Sequence, residues 1–253
     1  MTSSNSIWQP AQLIDTHIQP GEVHIWLAHL APPAERMQRL ASLLSAEESA
    51  KAARFHFAHD REHFIVSHAI LRLLLARYCT LAPENVHFTV NTYGKPALQT
   101  SFDQPLLSFN LSHSHGLALY AFTGICDLGV DIEYMRTNLE YTEVATHFFS
   151  QREVADLRAL PKEHTASGFF TAWTRKEAYI KARGLGLSLP LDLFDVSLHP
   201  DAPAALLATR EPGLDAATWS MHEIPVPAGY KAALALPARN ITLRYGNWDD
   251  TFI

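Results

Sequence analysis

Two pseudo-symmetric α+β halves, each with helices packed on a mostly antiparallel sheet and a cleft between them, are the fold this sequence predicts. Three observations predict it. Ser45 and Ser150 each stand three residues before a glutamate, Glu48 and Glu153, the reciprocal pairing that caps a helix N-terminus. Each cap is followed by a long stretch with apolar residues at helical spacing. Each long stretch is followed by strand-like runs, so helices and then a meander occur twice. The repeat lies in element order rather than in residues, and it sets the halves at 1–125 and 126–253.

Taken in order, GEVHIWLAHL (Gly21 to Leu30) alternates as a strand does. The Ser45 cap opens a helical stretch through Lys51 and Arg54. DREHFIVSHAILRLLLARY (Asp60 to Tyr78) reads as a long amphipathic helix, with Phe64, Ile65, Ala69, Leu71, Leu75 and Tyr78 as its apolar positions. VHFTV from Val86, LLSFNL from Leu106 and LALYAF from Leu117 are strands, and NLSHSHG (Asn110 to Gly116) reads as the connector between the last two. LGVDIE (Leu128 to Glu133) is a fourth strand, with Val130 and Ile132 on one face and Asp131 and Glu133 on the other. In the second half, FFTAWTRKEAYIKARGLGLSLP forms the long helix, ended by Gly184 and Gly186. LFDVSL, TWSMHEI, YKAALAL and ITLRY follow as strands.

The 253 residues, 47% hydrophobic and 18% charged, predict a packed core rather than disorder. A net charge of −6 without a polybasic tract argues against a nucleic-acid binder but leaves room for a local basic pocket. Cys79 and Cys126 stand in no metal-binding spacing and suit a reducing compartment. The N-terminus lacks the basic start and apolar run of a signal peptide, and no window reaches a membrane span. A cytoplasmic monomer with no membrane partner is expected.

The long helix of the second half carries a puzzle. Phe169, Trp173, Ile180 and Gly184 share one stripe, which packing should turn inward, and Glu177 and Lys181 lie on it too. As a plain i,i+4 pair on a solvated face, the two charges would support the helix by about 0.2–0.5 kcal/mol. Beside buried Trp173 and Ile180 they would be costly unless paired, hydrated or bound to a ligand. A crevice walled by this helix resolves the conflict.

Asp131 and Glu133 share a strand face, either as a solvated outer surface or as a pair kept ionised by a divalent cation. Oxygen donors without cysteine or a paired histidine set favour Mg²⁺ over zinc. In NLSHSHG, the serines and histidines either donate to an anion or stabilise a turn, and His113–Ser114–His115 lacks a third zinc ligand. YGKP puts Lys95 on a Gly-Pro turn. His56, His59 and His63 read as a polar helix surface.

GVDIE at Gly129 to Glu133 and WTRKEAYIKARGLGLSLP from Trp173, with YGKP and FNLSHS before them, FFSQRE between and GYKAAL after, form an ordered set. Together they resemble the 4′-phosphopantetheinyl transferases, in the larger surfactin-synthetase-activating type. The resemblance implies transfer of the 4′-phosphopantetheine arm of coenzyme A to a serine of an apo acyl or peptidyl carrier protein, releasing adenosine 3′,5′-bisphosphate. It implies Asp131, Glu133 and Glu177 as Mg²⁺ ligands, with Glu177 also accepting the serine proton directly or through water. Lys181 would neutralise the diphosphate, with Lys95, Ser112 and His113 around coenzyme A and Lys51 near the 3′-phosphate. Close relatives carry a basic residue where Glu48 stands and an arginine where His63 stands. Arg54, Arg61 or protonated His63 would then compensate. The carrier is expected beside the cleft near FFSQRE, where Phe149 and Phe170 are either an apolar rim or core residues. Two rival activities stand: a catalytically silent coenzyme A-binding protein, and a Mg²⁺-dependent phosphodiesterase.

Overall fold

Apolar faces at strand and helix spacing decide the layering of this chain, and the architecture is read from a computed structural model describing residues 7–99, 107–137, 140–199 and 202–249. In the first half, strands β1 (Gln9–Pro10) and β2 (Glu22–His29) precede helices α1 (Ala34–Ser42), α2 (Ala46–Ala52) and α3 (Ala58–Cys79). A short hairpin, β3 (Phe88–Val90) and β4 (Pro96–Leu98), leads to β5 (Ser108–Ser114) and β6 (Leu117–Thr123). The second half runs β7 (Gly129–Tyr134), α4 (Tyr141–Phe148), α5 (Gln151–Ala159) and α6 (Lys162–Arg183). It continues with β8 (Phe194–Val196), β9 (Leu206–Thr209), β10 (Ser220–Glu223), β11 (Tyr230–Leu236) and β12 (Thr242–Asn247).

Alternation along β2 and β6 divides their side chains between two cores. Trp26, Ala28, Tyr120 and Phe122 pack with Val66, Ile70 and Leu74 of α3. Val23, Ile25, Leu27, Leu119 and Ala121 pack instead with Val130, Ile132 and Leu234 of the second half. A third core gathers Phe149, Phe169, Phe170, Tyr179 and Phe194 around α6. Helices, sheet, sheet and helices therefore stack in that order, an α+β arrangement in two halves. Both capping boxes form as predicted, with Ser45 and Ser150 accepting from Glu48 and Glu153 backbone amides. Helix α6 stops at Gly184, whose φ of 64° is the left-handed cap that glycine adopts readily. It begins seven residues before Phe169, because the polar stretch after Pro161 is helical without an apolar stripe to announce it.

Two features depart from the sequence reading. NLSHSHG is not a connector: Ser112, His113 and Ser114 lie inside β5, and the turn is only His115–Gly116, closed by the Ser114–Leu117 pair. Both turn residues have positive φ, 47° and 87°, the geometry of a tight hairpin whose twist matches its strands. Leu106, at the start of the expected strand, lies outside the described residues. The second departure concerns chain order. The boundary expected at residue 125 falls between β6 and β7, but β12 returns to the first half and pairs in parallel with β2. The first sheet runs β1-β12-β2-β6-β5 and the second β10-β11-β7.

One buried ion pair braces the elements around α6. The Lys176 ammonium lies 2.7 Å from Glu153, with the carbonyls of Leu191 and Phe194 as its other acceptors. The remaining Glu153 oxygen accepts the Val196 amide at 2.8 Å. Every polar group of that pair is thereby satisfied, which a fully buried ion pair requires. Glu153 is a structural acid.

Candidate active site

The site grows from the seam between the two sheets. β5 is the edge of the first sheet and β7 the edge of the second. They do not join by a backbone ladder; alternate side chains of β5 take the place of its partners. The Val130 amide donates to Asn110 Oδ1 (2.8 Å), the Ile132 amide to Ser112 Oγ (3.3 Å) and the Tyr134 amide to Ser114 Oγ (3.1 Å). Edge groups that would otherwise be orphaned are paired, while the two backbones stay a side chain apart. Gly129 lets β7 come down on α6, since a Cβ there would collide with the Ala178 carbonyl and the Ala182 amide. The strand bearing Asp131 and Glu133 and the helix bearing Glu177 and Lys181 are thus held face to face.

Between Gly168 and Ala182 of α6, all residues are buried except Trp173, Glu177 and Lys181, which are half-buried. The expected inward stripe is therefore split. Phe169 and Ile180 belong to the core, whereas the two charges and Trp173 form the one open line of an otherwise enclosed helix.

Asp131 is 3% exposed. Its Oδ1 accepts from Lys181 Nζ at 2.6 Å and from Ser112 Oγ at 2.9 Å. Its Oδ2 is buried with no hydrogen-bond partner among the described residues. Glu133, half-buried, accepts from Ser114 Oγ at 2.8 Å. Burial pushes the Glu177 carboxyl up to about 7; the Asp131 and Glu133 charges add to the rise and Lys181 opposes it. Burial also raises Asp131 and Glu133, against the Lys181 ammonium for the first and with Asp131 repulsion for the second. The three carboxylates lie in one another's fields.

Such a set, with one buried carboxylate oxygen unpartnered, fits a small hard cation with oxygen ligands. Asp131, Glu133 and Glu177 are the residues that could hold it. Among the described residues, no three carboxylate, imidazole or thiol side chains converge into a ready-made metal cage. Lys181 is the counter-charge bonded to Asp131.

Basic and polar groups extend from these acids along α3. Lys181 also reaches Ser112 Oγ (2.9 Å) and the Val130 carbonyl (3.3 Å). His113 is exposed at the surface, yet the protein packed beside it, with nearby His68, His63 and Lys181, pushes it down to about 4. It is a neutral imidazole at pH 7. His68 packs tilted against Phe64 at 4.0 Å, and the Lys51 ammonium lies 5.2 Å from the centre of that same ring. Lys95 is anchored differently. Its ammonium donates to the Leu128 and Ala182 carbonyls, both at 3.3 Å, and lies 3.6 Å from Asp127. Asn91 ties that turn to the end of α6 through the Gly184 carbonyl at 2.7 Å.

Comparison with known proteins bears directly on this geometry. Residues 127–235 match the model of the 4′-phosphopantetheinyl transferase superfamily, and residues 28–123 match that of the 4′-phosphopantetheinyl transferase N-terminal domain. The chain is 39% identical over 215 residues to the 4′-phosphopantetheinyl transferase HetI of Nostoc sp., covering 85% of this chain and 87% of that protein. It is 35% identical over 172 residues to the 4′-phosphopantetheinyl transferase Sfp of Bacillus subtilis, covering 68% and 74%. The chain belongs to the 4′-phosphopantetheinyl transferase family. A more distant match, 26% identical over 208 residues, is the human L-aminoadipate-semialdehyde dehydrogenase-phosphopantetheinyl transferase, covering 76% of this chain and 67% of that one.

As a phosphopantetheinyl transferase, the chain makes its own use of two positions where a basic residue was expected. Glu48 caps α2 and accepts from Arg72 Nε at 2.6 Å, with His68 Nδ1 at 3.2 Å. Burial opposes its ionisation, but hydrogen bonds from His68, the Ser45 amide and Arg72 outweigh that and hold it at about 2. Its charge is spent inside the protein. Burial and the neighbouring His59 lower His63, so protonated His63 is a poor substitute for an arginine at neutral pH. Phe149 and Phe170 are each 4% exposed and belong to the core, not to an apolar rim. The exposed aromatic is Phe148, edge-to-face with Trp173 at 6.0 Å. The sequence reading passed over Asn110 and Ser114 as members of the seam. Their spacing of two from Ser112 is a strand signal, masked because Asn and Ser are also turn residues.

Proposed function

We propose that this chain transfers the 4′-phosphopantetheine arm of coenzyme A to a serine of an apo acyl or peptidyl carrier protein, with Mg²⁺, releasing adenosine 3′,5′-bisphosphate. The reading is supported by the Lys181–Asp131 bond and by the mutual influence of Asp131, Glu133, Glu177 and Lys181, which come from elements far apart in sequence. The relatives' shared description as phosphopantetheinyl transferases supports the same chemistry.

In this reading, Asp131, Glu133 and Glu177 hold Mg²⁺, which when bound draws charge from the diphosphate oxygens. Glu177 takes the proton of the carrier serine, directly or through water; as a ligand of the cation it would be a modest base, which a bridging water would ease. The serine oxygen bonds to the phosphorus nearer the pantetheine, and the bond from that phosphorus to the bridging oxygen breaks. The departing oxygen leaves with adenosine 3′,5′-bisphosphate. Lys181, already beside Asp131, offers its ammonium to the charge that develops there. Lys51, Lys95, Ser112 and neutral His113 bind coenzyme A, Lys51 toward the 3′-phosphate with Arg54 and Arg61 as further cations. Residues 1–125 supply most of those contacts and residues 126–253 the acids and the catalytic helix. The carrier docks at Phe148 and Trp173, one turn before Glu177 on the same open line of α6. The enzyme acts as a cytoplasmic monomer without a nucleic-acid or membrane partner; among the described residues no helix is long and apolar enough to cross a membrane.

Incubation with coenzyme A, Mg²⁺ and an apo carrier tests the proposal. A rise in carrier mass by one phosphopantetheine is expected. Nucleotide release without carrier would mean the hydrolase, and binding without turnover the silent protein.

A further inference from the structure

We infer that Ser114 is a positioning residue that presents Glu133 to the metal-binding group. The inference rests on the proposed function. It comes from the way a hydroxyl distributes one proton and its lone pairs. The Tyr134 amide can only donate, so at 3.1 Å it takes a lone pair of Ser114 Oγ. That leaves the single hydroxyl proton for Glu133 Oε2 at 2.8 Å. Both backbone anchors of the hydroxyl belong to strands, β5 for its own Cα and β7 for the amide it accepts from. The hydroxyl is therefore aimed by two sheets at once.

Glu133 needs such a guide more than Asp131 does. Asp131 is short, buried and bonded to Lys181 and Ser112. Glu133 has one more rotatable bond, is half-buried, and Ser114 is its hydrogen-bond partner among the described residues. Two residues along the seam, Ser112 repeats the device. It accepts from the Ile132 amide and the Lys181 ammonium and donates to Asp131. Consecutive outward residues of β5 thus orient consecutive acids of β7. Outer partners of metal-binding carboxylates fix their orientation, and losing one typically costs about 10- to 100-fold in metal affinity.

The competing account is that Ser114 only satisfies an edge amide, in which case its loss would lower stability and leave metal binding alone. Binding of Mn²⁺ to the carrier-free, coenzyme A-free protein, read by electron paramagnetic resonance, separates the two. Ser114→Ala should weaken Mn²⁺ binding about 10-fold, and Ser114→Thr, which keeps the hydroxyl, should restore it. In a Glu133→Ala background, Ser114→Ala should change Mn²⁺ affinity no further. If Ser114→Ala does not fold, Ser114→Cys takes its place, since a thiol fills the space but donates weakly. Wild-type Mn²⁺ affinity in the folded alanine or cysteine variant overturns the inference, whatever the melting temperature. So does an undiminished effect in the Glu133→Ala background. Failure of the wild type to modify any apo carrier would instead sink the transferase reading, and the Mn²⁺ comparison would still stand by itself.

Discussion

Glu177 and Lys181 show how a single side chain is priced by its surroundings. On a solvated helix the pair would be worth a few tenths of a kcal/mol. Here Glu177 is half-buried near two other acids, and burial with their charges pushes its carboxyl up to about 7. Glu177→Gln should lower transfer to carrier by at least about 10²-fold, the usual scale for a lost proton acceptor. Its melting temperature should hold or rise, because one of three repelling charges is gone. Unchanged turnover, read by carrier mass, would remove Glu177 from the mechanism. Lys181→Ala should behave differently, since it strips Asp131 of its bonded cation. A loss of about 1–3 kcal/mol in unfolding free energy is expected, and transfer should fall more than coenzyme A affinity. Equal losses in both would mean that Lys181 binds ground state and transition state alike.

At the scale of elements, the capping boxes do more than start helices. The Ser45 box delivers Glu48 to Arg72 of α3, which itself donates to the Pro83 and Val86 carbonyls. One carboxylate thus joins α2, α3 and the chain leading into β3. Its folded-state value of about 2 lies below the ordinary 4.5. Ionised Glu48 therefore stabilises the fold fully above about pH 4.5, and that contribution is lost as the pH falls toward 2. The shift corresponds to at most about 3 kcal/mol. Glu48→Gln should be destabilised relative to wild type at pH 7, with the two converging as denaturation is followed down to pH 2. A constant difference across that range would show that Glu48 acts by shape rather than charge.

Across the whole molecule, the two halves are interleaved as well as stacked. β12 lies between β1 and β2, so the first sheet is completed by the last strand described. A fragment of residues 1–125 should expose the β2 edge and the apolar face of Val23, Ile25 and Leu27. It should fail to give a cooperative unfolding transition alone and gain one when mixed with residues 126–253. A cooperative transition from the first fragment by itself would make the halves independent domains.

Local signals made much of this legible in the chain. The serine–glutamate caps, the glycine stop at Gly184 and the alternation of Val130 and Ile132 against Asp131 and Glu133 all act within a few residues. Short-range energetics decides them, so they survive in sequence alone. The family resemblance lies in short motif blocks and is likewise present in the chain itself. Tertiary structure decided the rest: that Trp173, Glu177 and Lys181 are the open line of α6 while Phe169 and Ile180 are core, that Phe149 and Phe170 are enclosed, and that Asn110, Ser112 and Ser114 bridge two sheets. It also decided that the last strand returns to the first sheet. Those outcomes depend on burying three cores at once, and no stretch of a few residues contains that condition.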